Sequence, residues 1–260
     1  MDVPTYLARI RYDGSLGPTP ETLRALQLAH LIAVPFENLD IPLGRPLRLD
    51  PEALFHKIVA RRRGGFCFEL NGLFAALLRE LGFHVDLLGA SVARDDGQYG
   101  ISSGHMALRV HCPGLGVPWL ADVGFGDSFR HPLRLDTVEE QADSSIADGR
   151  RFRVSPLGEE MLYEMRESDG PWQPRYRFLL APLPMEHFSG PCDYMQSSPE
   201  SPFTRRRICS RATPDGRVTI SDLKLIVTAR GQRTEQSIRE EDYPVLLRKH
   251  FAMDLAAEGA

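Results

Sequence analysis

The amino-acid sequence predicts an α+β fold in which helices come first and mainly antiparallel strands follow. Before Phe83, apolar residues recur at helical spacing, whereas after it they form short runs separated by Gly, Pro, Asp and Ser. The C-terminal part of the chain combines both patterns. Strands that follow a run of helices, rather than alternating with them, are typical of the α+β class.

Three helices are predicted in the N-terminal part. The tripeptides TPE at 19–21 and DPE at 50–52 each join a capping side chain to a proline and an acid, which is a helix-start signal. A third helix is predicted to begin near Cys67. Its apolar face lies within residues 73–81, and Gly82 is the predicted stop.

Strand signals dominate residues 85–185 and predict an antiparallel barrel or sandwich. The runs are VDLLGASV, HMALRVHC, PWLADVGF, RFRVS, MLYEMRE and YRFLL. Nearer the C-terminus, residues 217–220 and 223–228 are predicted strands. Ser237 is the predicted cap of a terminal helix that carries Tyr243 and Leu247.

Charge and hydropathy exclude several classes of protein. The formal net charge of the 260 residues is −4, whereas a general nucleic-acid binder is usually basic. The longest apolar runs, such as residues 28–36, are far too short to span a membrane, and the N-terminus has no apolar signal core. We therefore expect a cytoplasmic protein with neither a nucleic-acid nor a membrane partner.

The four cysteines are expected to be free thiols in a reducing compartment. They include no CxxC pair and no zinc-finger spacing with histidine, so no metal site is expected. A free cysteine is most often a small buried apolar residue, and a functional role needs additional signals.

Such signals surround Cys67, in the stretch RRRGGFCFELNGLF at residues 61–74. If the third helix begins there, unpaired N–H groups and the positive end of the helix dipole favour a thiolate over a thiol. Gly64 and Gly65 allow a tight turn and a close approach to the backbone. The alternative is a tight turn whose cysteine packs inward without a chemical role.

A histidine and an acid complete a possible catalytic set. His105 precedes the alternating apolar residues of HMALRV and falls on the opposite face of that strand. Asp122 lies inside the apolar run WLADVGFG, where an unpaired carboxylate would be costly. Each residue has a structural alternative, such as an exposed histidine or a carboxylate that caps a turn. Together with Cys67 they supply a nucleophile, a base and its orienting acid.

Segments along nearly the whole chain resemble the arylamine N-acetyltransferase family. They are, in order, YLARIRYDG, PFENLDIPLG, RRGGFCFELNGLF, GHMALRV, WLADVGFGD and SPESPFTRRRICS. The resemblance implies a helical bundle at residues 1–84, a β-barrel at 85–188 and an α/β lid at 189–260. The Cys-His-Asp core would then be similar to that of cysteine proteases.

The resemblance also implies an activity, namely ping-pong acetyl transfer from acetyl-coenzyme A. Cys67 would carry the acetyl group, His105 would be the base, and Asp122 would orient it. The acceptors would be arylamines and arylhydrazines, with transfer to the oxygen of N-hydroxyarylamines as a further activity. Acetyl-CoA would be a substrate, and no metal or prosthetic group is implied.

Further residues match family positions around the site. The acceptor pocket would be lined by Phe36, Phe125 and Phe203. Coenzyme A would approach the backbone at Gly124 and Gly126. The loop that bears the cysteine would be braced by Glu37 and Arg63, with Asn71 nearby. Two departures are Gly104, where the family often has threonine, and Ala252, where we expect glycine.

Three other functions share some of these features. A Cys-His-Asp set also serves thioester hydrolases and papain-like peptidases, although the sequence around Cys67 disfavours a papain-type enzyme. Some relatives on this fold are amide synthases that close macrolactams. A protein that only binds aromatic amines or coenzyme A needs no complete triad, so the three residues argue against that reading.

Overall fold

The computed structural model describes residues 1–145 and 149–255. The N-terminal helices are α1 (Val3–Ile10), α2 (Pro20–Ala33), α3 (Pro51–Phe55) and α4 (Cys67–Glu80), and α3 continues as a π-helical turn at His56–Ala60. Thr19 and Asp50 cap α2 and α3 as predicted. Each side chain accepts a hydrogen bond from the backbone N–H three residues later, at 3.3 and 2.9 Å. The predicted stop at Gly82 is also confirmed, since α4 ends two residues before it and Gly82 has a φ of +89°.

Within the described ranges, nine strands precede residue 180, of which the first lies between α2 and α3 and the others follow α4. They are β1 (Phe36–Glu37), β2 (His84–Val92), β3 (His105–His111), β4 (Pro118–Ala121), β5 (Leu133–Arg134), β6 (Gln141–Ala142), β7 (Arg151–Leu157), β8 (Glu160–Arg166) and β9 (Gln173–Phe178). Strands β2 to β9 form one antiparallel sheet in the order β5-β4-β3-β2-β9-β8-β7-β6. Because β5 also contacts β7, the sheet curves into a nearly closed barrel. The α+β fold is confirmed, with a barrel rather than a sandwich.

A second antiparallel sheet lies in the C-terminal part. Its strands are β10 (Ile208–Thr213), β11 (Gly216–Ser221), β12 (Lys224–Ala229) and β13 (Gln232–Ser237), with β1 paired to β10 at the other edge. Helices α5 (Ser189–Ser197) and α6 (Pro202–Arg205) precede the sheet, and α7 (Tyr243–Phe251) follows it. These elements form the α/β part that the resemblance implied.

The predicted start of the terminal helix at Ser237 is wrong. Ser237 is the last residue of β13, where it pairs with Lys224. The helix begins six residues later, with Pro244 in its first turn. A capping residue is a weak signal when its backbone is already held in a strand ladder, and the polar sequence of β13 has no apolar alternation to reveal it.

Helix α4 is the element that fixes the position of the cysteine. Its side chains from Phe68 to Phe74 are buried in the larger core, and the helix packs against α3, β2 and β3. Because a protein core is close-packed, a shift of α4 would disrupt many of its contacts. The first turn of α4 is therefore held firmly against the barrel.

The division of the chain at residues 84 and 188 stays a prediction, and residues 256–260 of its last segment lie outside the described residues. β1 links the first of these segments to the sheet of the last. Within the described ranges, no helix is both long and apolar enough to cross a membrane.

Candidate active site

Cys67 is the first residue of α4, and its side chain lines a pocket. The preceding double glycine has a structural reason. A Cβ atom on Gly64 would lie 2.0 Å from the carbonyl oxygen of Pro35, and Gly65 pairs with Phe36 in a parallel bridge. The glycines therefore let the cysteine loop pack against β1, so the backbone that approaches them belongs to the protein itself.

A buried network of charges lies behind this loop. The Arg63 guanidinium contacts Glu37 at 2.8 Å and Asp40 at 3.1 Å, and only 2% of Arg63 is exposed. Lys57 bridges Asp40 at 2.8 Å and Glu69 at 2.7 Å. Glu69 also accepts a hydrogen bond from the N–H of Phe66, the residue before the cysteine. The ion pair of Glu37 and Arg63 thus lies within a larger network that sequence reasoning missed, and its role in bracing the cysteine loop stays a prediction.

His105 and Asp122 are brought together at 2.7 Å, from His105 Nε2 to Asp122 Oδ2. Both side chains are buried. The carboxylate also accepts hydrogen bonds from Asn71 at 2.9 Å, the Gly124 N–H at 2.8 Å and Tyr176 Oη at 3.2 Å. Four donors therefore contact the Asp122 carboxylate, and together they fix the direction of the imidazole ring.

The electrostatics of the site favour a charged imidazole. Burial alone would lower the pKa of His105, but the charge and hydrogen bond of Asp122, with a smaller contribution from Cys67, raise it to about 10. Since Nε2 faces the carboxylate, Nδ1 is the ring nitrogen left for the Cys67 side chain, which interacts with the ring. The direction of this shift favours an imidazolium at neutral pH, beside the Cys67 sulfur.

Asn71 and Gly124 join the cysteine helix to the turn after β4, which bears the acid. The Asn71 amide donates to Asp122 and to the carbonyl of Met106 at 2.7 Å, and its oxygen accepts from the Val123 N–H at 2.9 Å. A Cβ atom on Gly124 would lie 2.7 Å from the Cα of Cys67. Gly124 thus permits close packing within the protein, and its role toward coenzyme A stays a prediction.

The thiol lies in a cavity of about 380 Å³, which we call the cysteine pocket. Its walls include Cys67, Gly104, His105, Gly124, Phe36, Phe125, Phe203, Met195, Arg94 and Arg175. The three phenylalanines predicted from the sequence are thus brought together around the thiol. The Phe125 ring packs edge-on against the imidazole, with 5.1 Å between ring centroids. The two arginines were not anticipated, because neither the loop after β2, which bears Arg94, nor strand β9, which bears Arg175, contains a motif that indicates a site.

A larger cavity of about 740 Å³, the basic cleft, begins on the other side of Phe36 and Phe125. It lies between the barrel and the second sheet, and its walls include Gly126, Asp127, Arg130, Arg150, Arg217 and Arg233. Arg217 donates to the carbonyl of Gly126 and forms an ion pair with Asp127 at 3.4 Å. This contact ties the glycine turn after Asp122 to β11.

The glycine at position 104 fits its surroundings. A Cβ atom there would lie 2.8 Å from Ile101 and 3.0 Å from Met195. The Gly104 carbonyl oxygen is 3.9 Å from Cys67 Sγ. A threonine would therefore crowd the pocket wall directly beside the thiol.

A pocket-lining thiol at a helix start, beside a buried imidazole held by a carboxylate, is typical of enzymes with a cysteine nucleophile. Comparison with known proteins defines the family. The model of an N-acetyltransferase family matches residues 19–260. The chain belongs to the arylamine N-acetyltransferase family, and the protein is an acyltransferase.

Individual relatives agree with this assignment. An arylamine N-acetyltransferase of Mycolicibacterium smegmatis is 36% identical over 235 residues, which cover 89% of this chain and 84% of the relative. A Salmonella typhimurium protein named arylamine N-acetyltransferase / N-hydroxyarylamine O-acetyltransferase is 34% identical, over 93% of this chain and 84% of its own. The Mycobacterium marinum arylamine N-acetyltransferase in complex with CoA superposes with a TM-score of 0.90 at 31% identity, and covers 100% of this chain and 95% of that one.

Proposed function

We propose that this protein transfers an acetyl group from acetyl-CoA to the nitrogen of arylamines and arylhydrazines through a thioester on Cys67. The observation that carries the proposal is the geometry of one pocket. The thiol at the start of α4 lines the same pocket as His105. The Nε2 atom of this histidine forms a hydrogen bond with Asp122 at 2.7 Å. The family and the CoA-bound neighbour support acetyl-CoA as the donor.

In the first half-reaction, the Cys67 sulfur attacks the carbonyl carbon of acetyl-CoA. The bond from that carbon to the sulfur of coenzyme A breaks, and the leaving thiolate takes the proton that His105 carries. One thioester replaces another, so this step is nearly balanced in free energy. N–H groups in the first turn of α4 have no partner inside the helix and would stabilise the negative oxygen of the tetrahedral intermediate.

In the second half-reaction, coenzyme A has left and an amine nitrogen attacks the acetyl-cysteine. The neutral imidazole accepts the proton that the amine loses, and the Cys67 thiolate departs. An amide is more stable than a thioester, so this step pulls the transfer forward. The carboxylate of Asp122 stabilises the imidazolium that forms.

The two cavities suit the two substrates. The basic cleft, with a volume of about 740 Å³ and four arginines against three acids in its walls, would take the nucleotide of acetyl-CoA, whose pantetheine arm would pass Phe125 and Gly126 to reach the thiol. The three phenylalanines give the cysteine pocket apolar ring surfaces that suit an aromatic amine. We place the reaction in the cytoplasm, where reduced thiols are maintained.

Transfer to the oxygen of N-hydroxyarylamines is a second candidate activity. The observation that favours it is the printed name of the Salmonella typhimurium relative, which includes O-acetyltransferase. The same acetyl-cysteine would serve both acceptors, because only the attacking atom differs.

The test is turnover with acetyl-CoA and a panel of arylamines and hydrazines, with release of free coenzyme A as the readout. Cys67→Ala should abolish amine-dependent release, while Cys112→Ala, which removes another buried thiol, should keep it. Near-normal turnover by folded Cys67→Ala would overturn the mechanism. Equal release without any amine would indicate a hydrolase, and turnover confined to large tethered amines would indicate an amide synthase.

A further inference from the structure

We propose that Arg175 gives the cysteine pocket a preference for arylamine acceptors that carry a carboxylate. The inference rests on the proposed function, since it concerns the acceptor of the same acetyl-cysteine. It adds a specificity-determining side chain that the chemistry of transfer does not itself require.

Arg175 lies on β9 and reaches the wall of the pocket across an aromatic ring. Its Cζ atom lies over the Phe125 ring, 5.4 Å from the centroid. The same ring packs edge-on against His105, at 5.1 Å between centroids. The guanidinium and the imidazole thus both pack against the ring of Phe125 and both line the cysteine pocket.

The Arg175 guanidinium has no anionic partner of its own. Its Nε is fully buried without a hydrogen-bond partner, and across residues 1–145 and 149–255 no carboxylate forms an ion pair with it. Two neighbouring arginines differ: Arg177 on the same strand pairs with Glu160 at 3.2 Å, and Arg153 pairs with Glu164 at 2.7 Å. A half-buried guanidinium with an unbonded, buried Nε and, within the described ranges, no ion pair is suited to an anion supplied by a ligand.

The rest of the pocket supports an anion at this point. Arg94 lines the same wall and adds a second positive charge, while the one carboxylate among the pocket residues, Glu200, is exposed and accepts a hydrogen bond from Tyr194 at 3.3 Å. Asp95 lines the adjoining cavity with both arginines but does not pair with Arg175. The field inside the pocket is therefore positive where the acceptor would lie.

Geometry favours an acceptor carboxylate over a phosphate of acetyl-CoA. In a 4-aminobenzoate, one benzene ring separates the amine from the carboxylate, a short span that suits two side chains packed on the same Phe125 ring, His105 and Arg175. The phosphates of coenzyme A are separated from its sulfur by the whole pantetheine arm. The basic cleft beyond Phe125 offers them several arginines. A planar guanidinium also matches a carboxylate with two parallel hydrogen bonds.

The experiment compares two acceptors on pre-formed acetyl-enzyme, so that the donor plays no part in the measured step. The acceptors are 4-aminobenzoate and its methyl ester, which share the ring and differ in charge. We expect Arg175→Met to lower the ratio of their second-order discharge rates, acid over ester, by roughly tenfold, as loss of a charge-assisted bond predicts. Arg175→Lys should retain part of the preference, and Arg177→Met, outside the pocket, should leave the ratio unchanged.

An unchanged ratio in folded Arg175→Met would overturn the proposal, because a guanidinium that merely packs on Phe125 would affect both acceptors alike. A donor role has its own signature. In that case Arg175→Met would slow acetylation by acetyl-CoA but not by p-nitrophenyl acetate, with the acceptor ratio unchanged, and the proposal would again fail. If the wild-type acetyl-enzyme discharges to neither amine, the proposed function itself fails, which is a different result from an unchanged ratio.

Discussion

Replacement of Asp122 by asparagine should remove both the charge of His105 and much of the activity. The carboxylate accepts four hydrogen bonds, the shortest from His105 at 2.7 Å and the longest from Tyr176 at 3.2 Å. An asparagine has one accepting oxygen, and its NH₂ group would face donors. Breaking a buried charged pair from one side costs about 3–5 kcal/mol of unfolding free energy, and loss of base catalysis costs about 10²- to 10⁴-fold in rate.

The stability lost in Asp122→Asn should depend on pH, in a direction set by the pKa of His105. Asp122 raises the pKa of His105 to about 10, above its ordinary 6.5. The pair of His105 and Asp122 therefore contributes its full share of the unfolding free energy below pH 6.5, and this contribution is lost as the pH rises through about 10. In Asp122→Asn, burial is left to lower the pKa of His105. The difference in unfolding free energy between wild type and variant should therefore narrow from pH 6.5 to 10. The narrowing should exceed about 1.4 kcal/mol, the equivalent of one pKa unit.

The assay is urea unfolding followed by circular dichroism across this pH range, together with turnover at pH 7.5. Tyr176→Phe is the matched control, because it removes only the longest of the four hydrogen bonds. It should cost about 1 kcal/mol and keep the pH dependence. Full activity in Asp122→Asn, with a difference in stability that does not vary with pH, would refute the assigned role of the carboxylate.

Three further changes test the packing around the site by urea unfolding. Gly124→Ala should lose about 1–3 kcal/mol of unfolding free energy, since its Cβ would lie 2.7 Å from a Cα atom of α4. Gly116→Ala is the control, because a Cβ there lies in open space, and it should change the unfolding free energy little. Equal effects of the two substitutions would contradict the close packing at Gly124. Arg63→Met should cost about 3–5 kcal/mol because it leaves the buried Glu37 carboxylate without this ion pair. Arg134→Met, which removes an exposed pair with Asp136, should change stability little, and similar losses in the two variants would argue against the buried network. Ala252→Gly should stabilise the protein by up to about 1 kcal/mol, because this residue caps the end of α7 with a left-handed φ of 55°, which glycine adopts readily. A loss of stability would show instead that the Ala252 methyl group contributes packing.

Local signals explain why the start of α4 was predictable. Two glycines, an apolar helical face and Gly82 lie within one short stretch, and each acts through its immediate neighbours.

The contact of the histidine with the acid follows from strand pairing. Leu108 lies opposite Ala121, so Asp122 falls on the same face of the sheet as His105. The sequence suggested two neighbouring strands, but their register is a property of the folded sheet.

Other parts of the site had no readable signal. Lys57 and Glu69 are twelve residues apart and meet only because α3 packs beside α4. Arg175 lies in an ordinary polar strand, and its place in the pocket depends on the pairing of β9 with β2. The basic cleft forms between two sheets, so its arginines are scattered along the chain. Such features arise from tertiary packing, which periodicity does not encode.

The central claim is that the acetyl group resides on Cys67 between donor and acceptor. The most direct measurement is rapid-quench intact-protein mass spectrometry after mixing with acetyl-CoA, followed by addition of an arylamine. The mechanism predicts one added acetyl group on Cys67, formed without the amine and discharged by it far faster than by water, at a rate no slower than steady-state turnover. An adduct on another residue, or turnover that proceeds faster than the adduct forms or discharges, would contradict it.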